Sequence, residues 1–119
     1  MTTTTTIATV VIDCADPRAL AAFYARLTGW TPSGDDPGFV TLEGGPVMLA
    51  FQRVDGYRGP GWPGPAKHAH LDLAVPDVES AVRRIAELGG AIPAEQPGGG
   101  EWTVALDPEG HPFCLTRAA

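Results

Sequence analysis

Asp16 and Asp77 stand 61 residues apart, and so do Gly29 and Gly90. Each aspartate follows a β-branched, apolar run and sits where a helix N-cap belongs, and each glycine follows an amphipathic stretch as a helix stop. Strand, cap, helix and stop therefore recur in register, which makes the chain an internal repeat.

In the first copy, Ile7 to Cys14 reads as a strand. Asp16-Pro17 opens a helix whose apolar stripe is Leu20, Phe23, Tyr24 and Leu27, and Thr28-Gly29 closes it. Three shorter strands follow, about Trp30 to Ser33, Gly38 to Glu43 and Pro46 to Val54, separated by Gly34-Asp35-Asp36-Pro37 and Gly44-Gly45. The second copy begins with a strand from His68 to Val75. Its helix opens at Pro76-Asp77, carries Val78, Ala81, Val82, Ile85 and Leu88 on its apolar face, and stops at Gly89-Gly90. Ala91 to Ala94, Glu101 to Leu106 and Pro112 to Arg117 are its other strands, the last two joined by the turn Asp107-Pro108-Glu109-Gly110. Between the copies, residues 55–67 are rich in glycine and proline around Tyr57 and Trp62 and read as a linker. Modules at about 6–54 and 68–117 are thus expected within a single domain, 1–119. One helix and four strands are too few for a stable core, so the halves are expected to share a sheet system or to pair across chains.

A net charge of -6 disfavours nucleic acid and anionic membrane as general partners and leaves neutral or cationic small ligands open. There is no apolar run of about 18 residues to span a bilayer. Met1 and Thr2 to Thr6 lack the basic and long apolar regions of a secretion signal, so a cytoplasmic location is expected. Cys14 and Cys114 have no metal-type spacing and are expected as reduced thiols.

Several spaced segments together resemble one known superfamily: Asp16-Pro17-Arg18-Ala19-Leu20-Ala21-Ala22-Phe23-Tyr24, Gly29-Trp30, His70-Leu71-Asp72-Leu73, and Asp107-Pro108-Glu109-Gly110-His111-Pro112-Phe113. The chain is similar to the vicinal oxygen chelate superfamily, which comprises glyoxalases, bleomycin resistance proteins and dioxygenases, and most of all to its small glyoxalase-like domains. The resemblance implies an α+β fold in which two βαβββ modules form curved mixed sheets around a cavity. Metal-dependent members place one ligand on the first and last strand of each module, which corresponds here to Thr9, Ala50, His70 and Cys114. A catalytic divalent metal needs about three protein ligands, and Thr9 and Ala50 are poor or impossible ones. The resemblance therefore implies a cavity, and the departure from its pattern implies no metal cofactor.

Strand alternation sorts the same residues without the family. Val10, Ile12 and Cys14 should pack toward the first helix, with Thr9, Val11 and Asp13 on the other face alongside Met48, Ala50 and Gln52. Leu71, Leu73 and Val75 should pack on the second helix, leaving His70, Asp72 and also His68 toward the cavity. Phe113 and Leu115 should point to the helix, and Cys114 and Thr116 to the cavity. The expected ligand-binding set is Thr9, Asp13, Met48, Ala50, Gln52, Trp62, His70, Asp72, Trp102 and Cys114.

Each of these residues also has a plainer reading. His68 and His70 suit a partly exposed and a hydrogen-bonded histidine as well as they suit two metal ligands. Cys114 is a small apolar filler unless His70 activates it as a nucleophile, with Asp72 nearby to orient the ring. Asp13 and Glu101 are candidate acid/base groups that equally suit solvated positions. Trp30 is expected at the helix end and Trp102 in either cavity or core, while Trp62 suits a pocket rim, a lid or a subunit contact. His111 falls on the face opposite Cys114 and is not counted as a ligand. Gly98-Gly99-Gly100 does not precede a helix, so it reads as a hairpin loop and not as a phosphate cradle.

The leading functional expectation is a small-molecule-binding protein that sequesters or transforms its ligand without the metal tetrad. One alternative is a metal-dependent lyase, isomerase or dioxygenase using His70. Another is a non-catalytic dimerisation module. A homodimer is expected, since open sheets leave edges to cover.

Overall fold

The computed structural model describes residues 5–60 and 69–118, so Trp62 and His68 lie outside the described residues. The chain divides into two compact units, Met1–Tyr57 and Arg58–Ala119, with the division inside the segment read as a linker.

The first unit contains β1 (Thr9–Cys14), α1 (Pro17–Thr28), β2 (Thr31–Ser33), β3 (Phe39–Glu43) and β4 (Met48–Arg53). Its sheet runs in the order β1-β4-β3-β2, with β1 parallel to β4 and the other pairs antiparallel. The helix begins where the sequence places it: the Asp16 carboxylate accepts the Ala19 amide at 3.2 Å, and Pro17 takes the first turn, where a missing N–H costs nothing. It ends at Gly29, whose φ of 82° is the left-handed cap conformation that glycine adopts without strain. Leu20, Phe23 and Tyr24 are buried beneath it, and the Tyr24 ring stacks on Phe51 with centroids 5.6 Å apart. Each such side chain contributes about 1.5–3 kcal/mol by leaving water.

That stacking fixes the faces of the sheet. Phe51 and Leu49 face the helix, so the alternate residues Met48, Ala50 and Gln52 face away, beside their register partners Thr9, Val11 and Asp13. Cys14 is fully buried and its Sγ lies 3.6 Å from the Gln52 carbonyl. Trp30 closes the end of this unit against the turn after β3. A Cβ on Gly45 would sit 2.6 Å from the indole, so only glycine admits the ring there.

The second unit contains β5 (Asp72–Val75), α2 (Val78–Glu87), β6 (Thr103–Leu106) and β7 (Pro112–Arg117), in the sheet order β5-β7-β6. β5 and β7 are parallel, and β6 and β7 are antiparallel. Ile85 is buried under α2, and Asp77 caps that helix by accepting from Glu79 N at 3.1 Å and from the Ser80 hydroxyl at 2.8 Å.

Several expected strands are shorter here, the one expected from Ile7 starting at Thr9, and one is lost. The strand expected from His68 starts only at Asp72, and the one expected from Glu101 starts at Thr103. Ala91 to Ala94 form no strand at all: one bridge remains, in which Ala91 and Leu106 exchange amide hydrogen bonds at 2.9 and 2.8 Å. Continuing that antiparallel register would set residue 93 against Val104, and residue 93 is a proline with no N–H to give. The described residues therefore hold seven strands, a full βαβββ unit followed by one whose second strand is a single bridge.

The turn between β6 and β7 is held from within. Asp107, 3% exposed, accepts from Glu109 N at 2.9 Å and His111 N at 3.1 Å, and His111 Nδ1 lies 2.7 Å from its carboxylate. Gly59 lies against this turn so closely that any Cβ would collide with the Glu109 carbonyl.

Candidate functional site

A pocket of about 460 Å³ opens on one face of the second unit's sheet. Register explains its lining. Asp72, Cys114 and Val104 are partners across β5, β7 and β6, so their side chains share a face, and Thr116 follows two residues along β7. His70, Pro97, Glu101 and Trp102 complete the wall. Phe113 and Leu115 alternate to the other face and are buried.

The pocket grades from wet to dry. The side chains of His70 and Asp72 are 38% and 65% exposed at its rim, whereas Cys114 is 8% and Val104 1% exposed at its floor. His70 precedes the strand, outside the pleat that would hold alternate residues roughly 7 Å apart. Its Nε2 therefore turns onto Asp72 Oδ1 at 3.2 Å. One ligand-type atom from each of His70, Asp72 and Cys114 lies within 4.8 Å of the other two. An imidazole, a carboxylate and a thiol at this spacing can pass a proton, accept hydrogen bonds from a ligand, or converge on a cation.

Trp102 owes its place to Gly98. The indole rests directly on that glycine, where a Cβ would meet ring atom Cδ2 at 2.8 Å, and the ring is left 38% exposed at the pocket. The segment Gly98-Gly99-Gly100 is a tight turn, with Glu101 N donating to Gly98 O at 3.0 Å.

The expected site residues fall into three groups. His70, Asp72, Trp102 and Cys114 line the pocket, joined by Glu101 and Thr116. Thr9, Asp13, Met48, Ala50 and Gln52 share the face of the first sheet that turns away from α1, where Val11 is 44% and Met48 36% exposed and Ala50 is buried. Trp62 and His68 lie outside the described residues. His111 serves the turn through Asp107 and is no part of the pocket. Of the four positions at which a metal would be expected by resemblance, Ala50 has no donor atom and Thr9 only a hydroxyl, so the set does not fit a catalytic metal. Sequence reasoning missed Pro97 and Val104. Val104 was legible as the register partner of Cys114 once β6 and β7 form a hairpin, whereas nothing in the sequence marks Pro97.

Among the described residues no helix is long and apolar enough to cross a membrane. Residues 9–116 match the family model described as "Glyoxalase-like domain". CFP32, a provisionally named glyoxylase of Mycobacterium tuberculosis and M. bovis, is 29% identical over 110 residues, covering 87% of this chain. The chain spans only 40% of that relative's length. A glyoxalase/bleomycin resistance protein/dioxygenase family enzyme from Burkholderia phytofirmans superposes with a TM-score of 0.75 at 19% identity, over 95% of this chain and 98% of that one. A bleomycin resistance determinant encoded on the transposon Tn5 superposes with a TM-score of 0.57 at 27% identity, over 95% and 98% of the two chains.

Proposed function

The chain belongs to the glyoxalase-like domain family, and from that premise we propose that it binds a small organic molecule in the pocket of its second unit, sequestering or transforming it without a metal tetrad. The observation that carries this reading is the pocket itself. Its volume of about 460 Å³ falls in the range of small-molecule sites, and a dry floor with a polar rim is how such sites fix a ligand's orientation. Trp102 offers a flat face for a ring or chain, and Asp72 and Glu101 make the lining acidic, which favours neutral or cationic ligands. The likeness to a bleomycin resistance determinant supports trying bleomycin among the first ligands. The reading includes a cytoplasmic homodimer, with the exposed edge strands of the two sheets covered by pairing.

Native mass spectrometry of freshly purified protein tests it. A small molecule retained by the wild type and lost in Trp102→Ala supports binding, whereas an empty pocket insensitive to that change favours a dimerisation module. One observation favours a second reading: the convergence of His70, Asp72 and Cys114 could serve a metal-dependent lyase, isomerase or dioxygenase. One divalent metal per chain, lost in His70→Ala, would establish that alternative.

A further inference from the structure

We infer that Cys114 is a nucleophile for soft carbon electrophiles, α,β-unsaturated carbonyl compounds in class, with His70 as proton acceptor and Asp72 positioning the imidazole. The inference rests on the pocket reading and gives that pocket a substrate class.

Three observations combine. Strand register turns the Cys114 side chain into the pocket, while Cys14 is fully buried with its Sγ at 3.6 Å from the Gln52 carbonyl. The thiol shares a space of 4.8 Å with an imidazole that is itself paired to a carboxylate at 3.2 Å, the order of groups by which a base takes a thiol proton and is held in place to do so. A carboxylate beside a thiol would ordinarily oppose the thiolate. Asp72, however, is paired to His70, and its side chain is 65% exposed to screening solvent. The surroundings fit the electrophile too. Val104 and the Trp102 indole take its carbon skeleton, and the acidic rim turns away anions.

The step balances without a further reagent. The Cys114 proton moves to a His70 ring nitrogen, and a sulfur lone pair forms an S–C bond at the β carbon. The π electrons of the C=C bond shift to the enolate, and the His70 proton then returns to the α carbon. The product is a thioether adduct carrying every atom of the electrophile.

Methyl vinyl ketone, added to the full chain near stoichiometry at neutral pH, tests this by intact mass and peptide mapping. A single adduct is expected on Cys114, with Cys14 unmodified and a rate about tenfold or more above that of N-acetylcysteine, because an imidazole stands beside the thiol to take its proton. His70→Gln should return the rate to the N-acetylcysteine level. Asp72→Asn, at a position whose side chain is 65% exposed, should fall between. Binding of the neutral dye Nile red to the wild type is measured in parallel, so that the two readings fail separately. Dye bound with Cys114 no faster than N-acetylcysteine overturns the nucleophile and leaves the pocket. A fast Cys114 with no dye bound overturns the pocket reading instead. Protection of Cys114 by equimolar zinc, reversed by EDTA, would reassign the three residues to a metal site and overturn the nucleophile.

Discussion

Gln96 and Val104 are paired as two strand residues would be, although one of them pairs through its side chain. Val104 N donates to Gln96 Oε1 at 2.8 Å, and Gln96 Nε2 donates to Val104 O at 2.9 Å and also to Pro93 O at 2.9 Å. The amide supplies the donor that Pro93 lacks, and it closes the edge of β6 behind the pocket floor. Gln96→Ala leaves both backbone groups of the buried Val104 without these partners, and a loss of about 1–3 kcal/mol is expected in urea unfolding. A change below a few tenths would mean that water replaces the amide at no cost.

Gly98→Ala is expected to dislodge Trp102, because the new Cβ would collide with the Trp102 carbonyl and indole. Ligand binding should weaken and tryptophan emission should shift toward that of exposed indole. Gly99→Ala serves as a comparison: nothing lies near its Cβ, and its φ of 60° is the only strain it meets.

Asp77 is held below its ordinary value of 3.8, first by the Ser80 hydroxyl and then by backbone amides, with Arg83 adding a smaller pull against the opposing effect of burial. A depressed folded value means that the contribution to stability is complete above the ordinary value and is lost as pH falls through the folded one. Helix α2 should therefore fray on acidification, seen as lost helicity by circular dichroism. In Asp77→Asn that component of the acid response should vanish, and if it persists another carboxylate is responsible.

Elemental analysis of protein purified without chelators should find no stoichiometric divalent metal, because Thr9 and Ala50 stand where two ligands would be needed. One tightly held equivalent would promote the metal-dependent reading.

Light scattering should report a dimer. A monomer at every accessible concentration would leave Val11, Phe39 and Met48 as an apolar face in water and remove pairing from the proposed function.

Much of the architecture was legible because it follows from local chemistry. Asp16-Pro17 and Gly29 bound the first helix to the residue, and alternation placed Cys114 and Thr116 on the pocket side. What escaped was set by contacts between segments distant in the sequence. Ala91 to Ala94 has the composition of a strand, yet Pro93 meets a position that requires an N–H, which only the pairing with β6 reveals. The nearness of Asp72 to His70 was legible, but their direct pairing was not, since strand spacing separates alternate residues and the pleat begins only at Asp72.

The seat of Gly59 bears on how the molecule can be taken apart. Composition assigns Arg58-Gly59-Pro60 to a connector that could be trimmed, yet Gly59 is fitted against the carbonyl of Glu109, in the turn that starts β7. Anyone expressing the halves as separate polypeptides, or grafting the second one onto a different carrier, should cut before Arg58. A fragment beginning at residue 68 would discard the stop against which that hairpin rests, and the thiol of Cys114 would inherit the looseness.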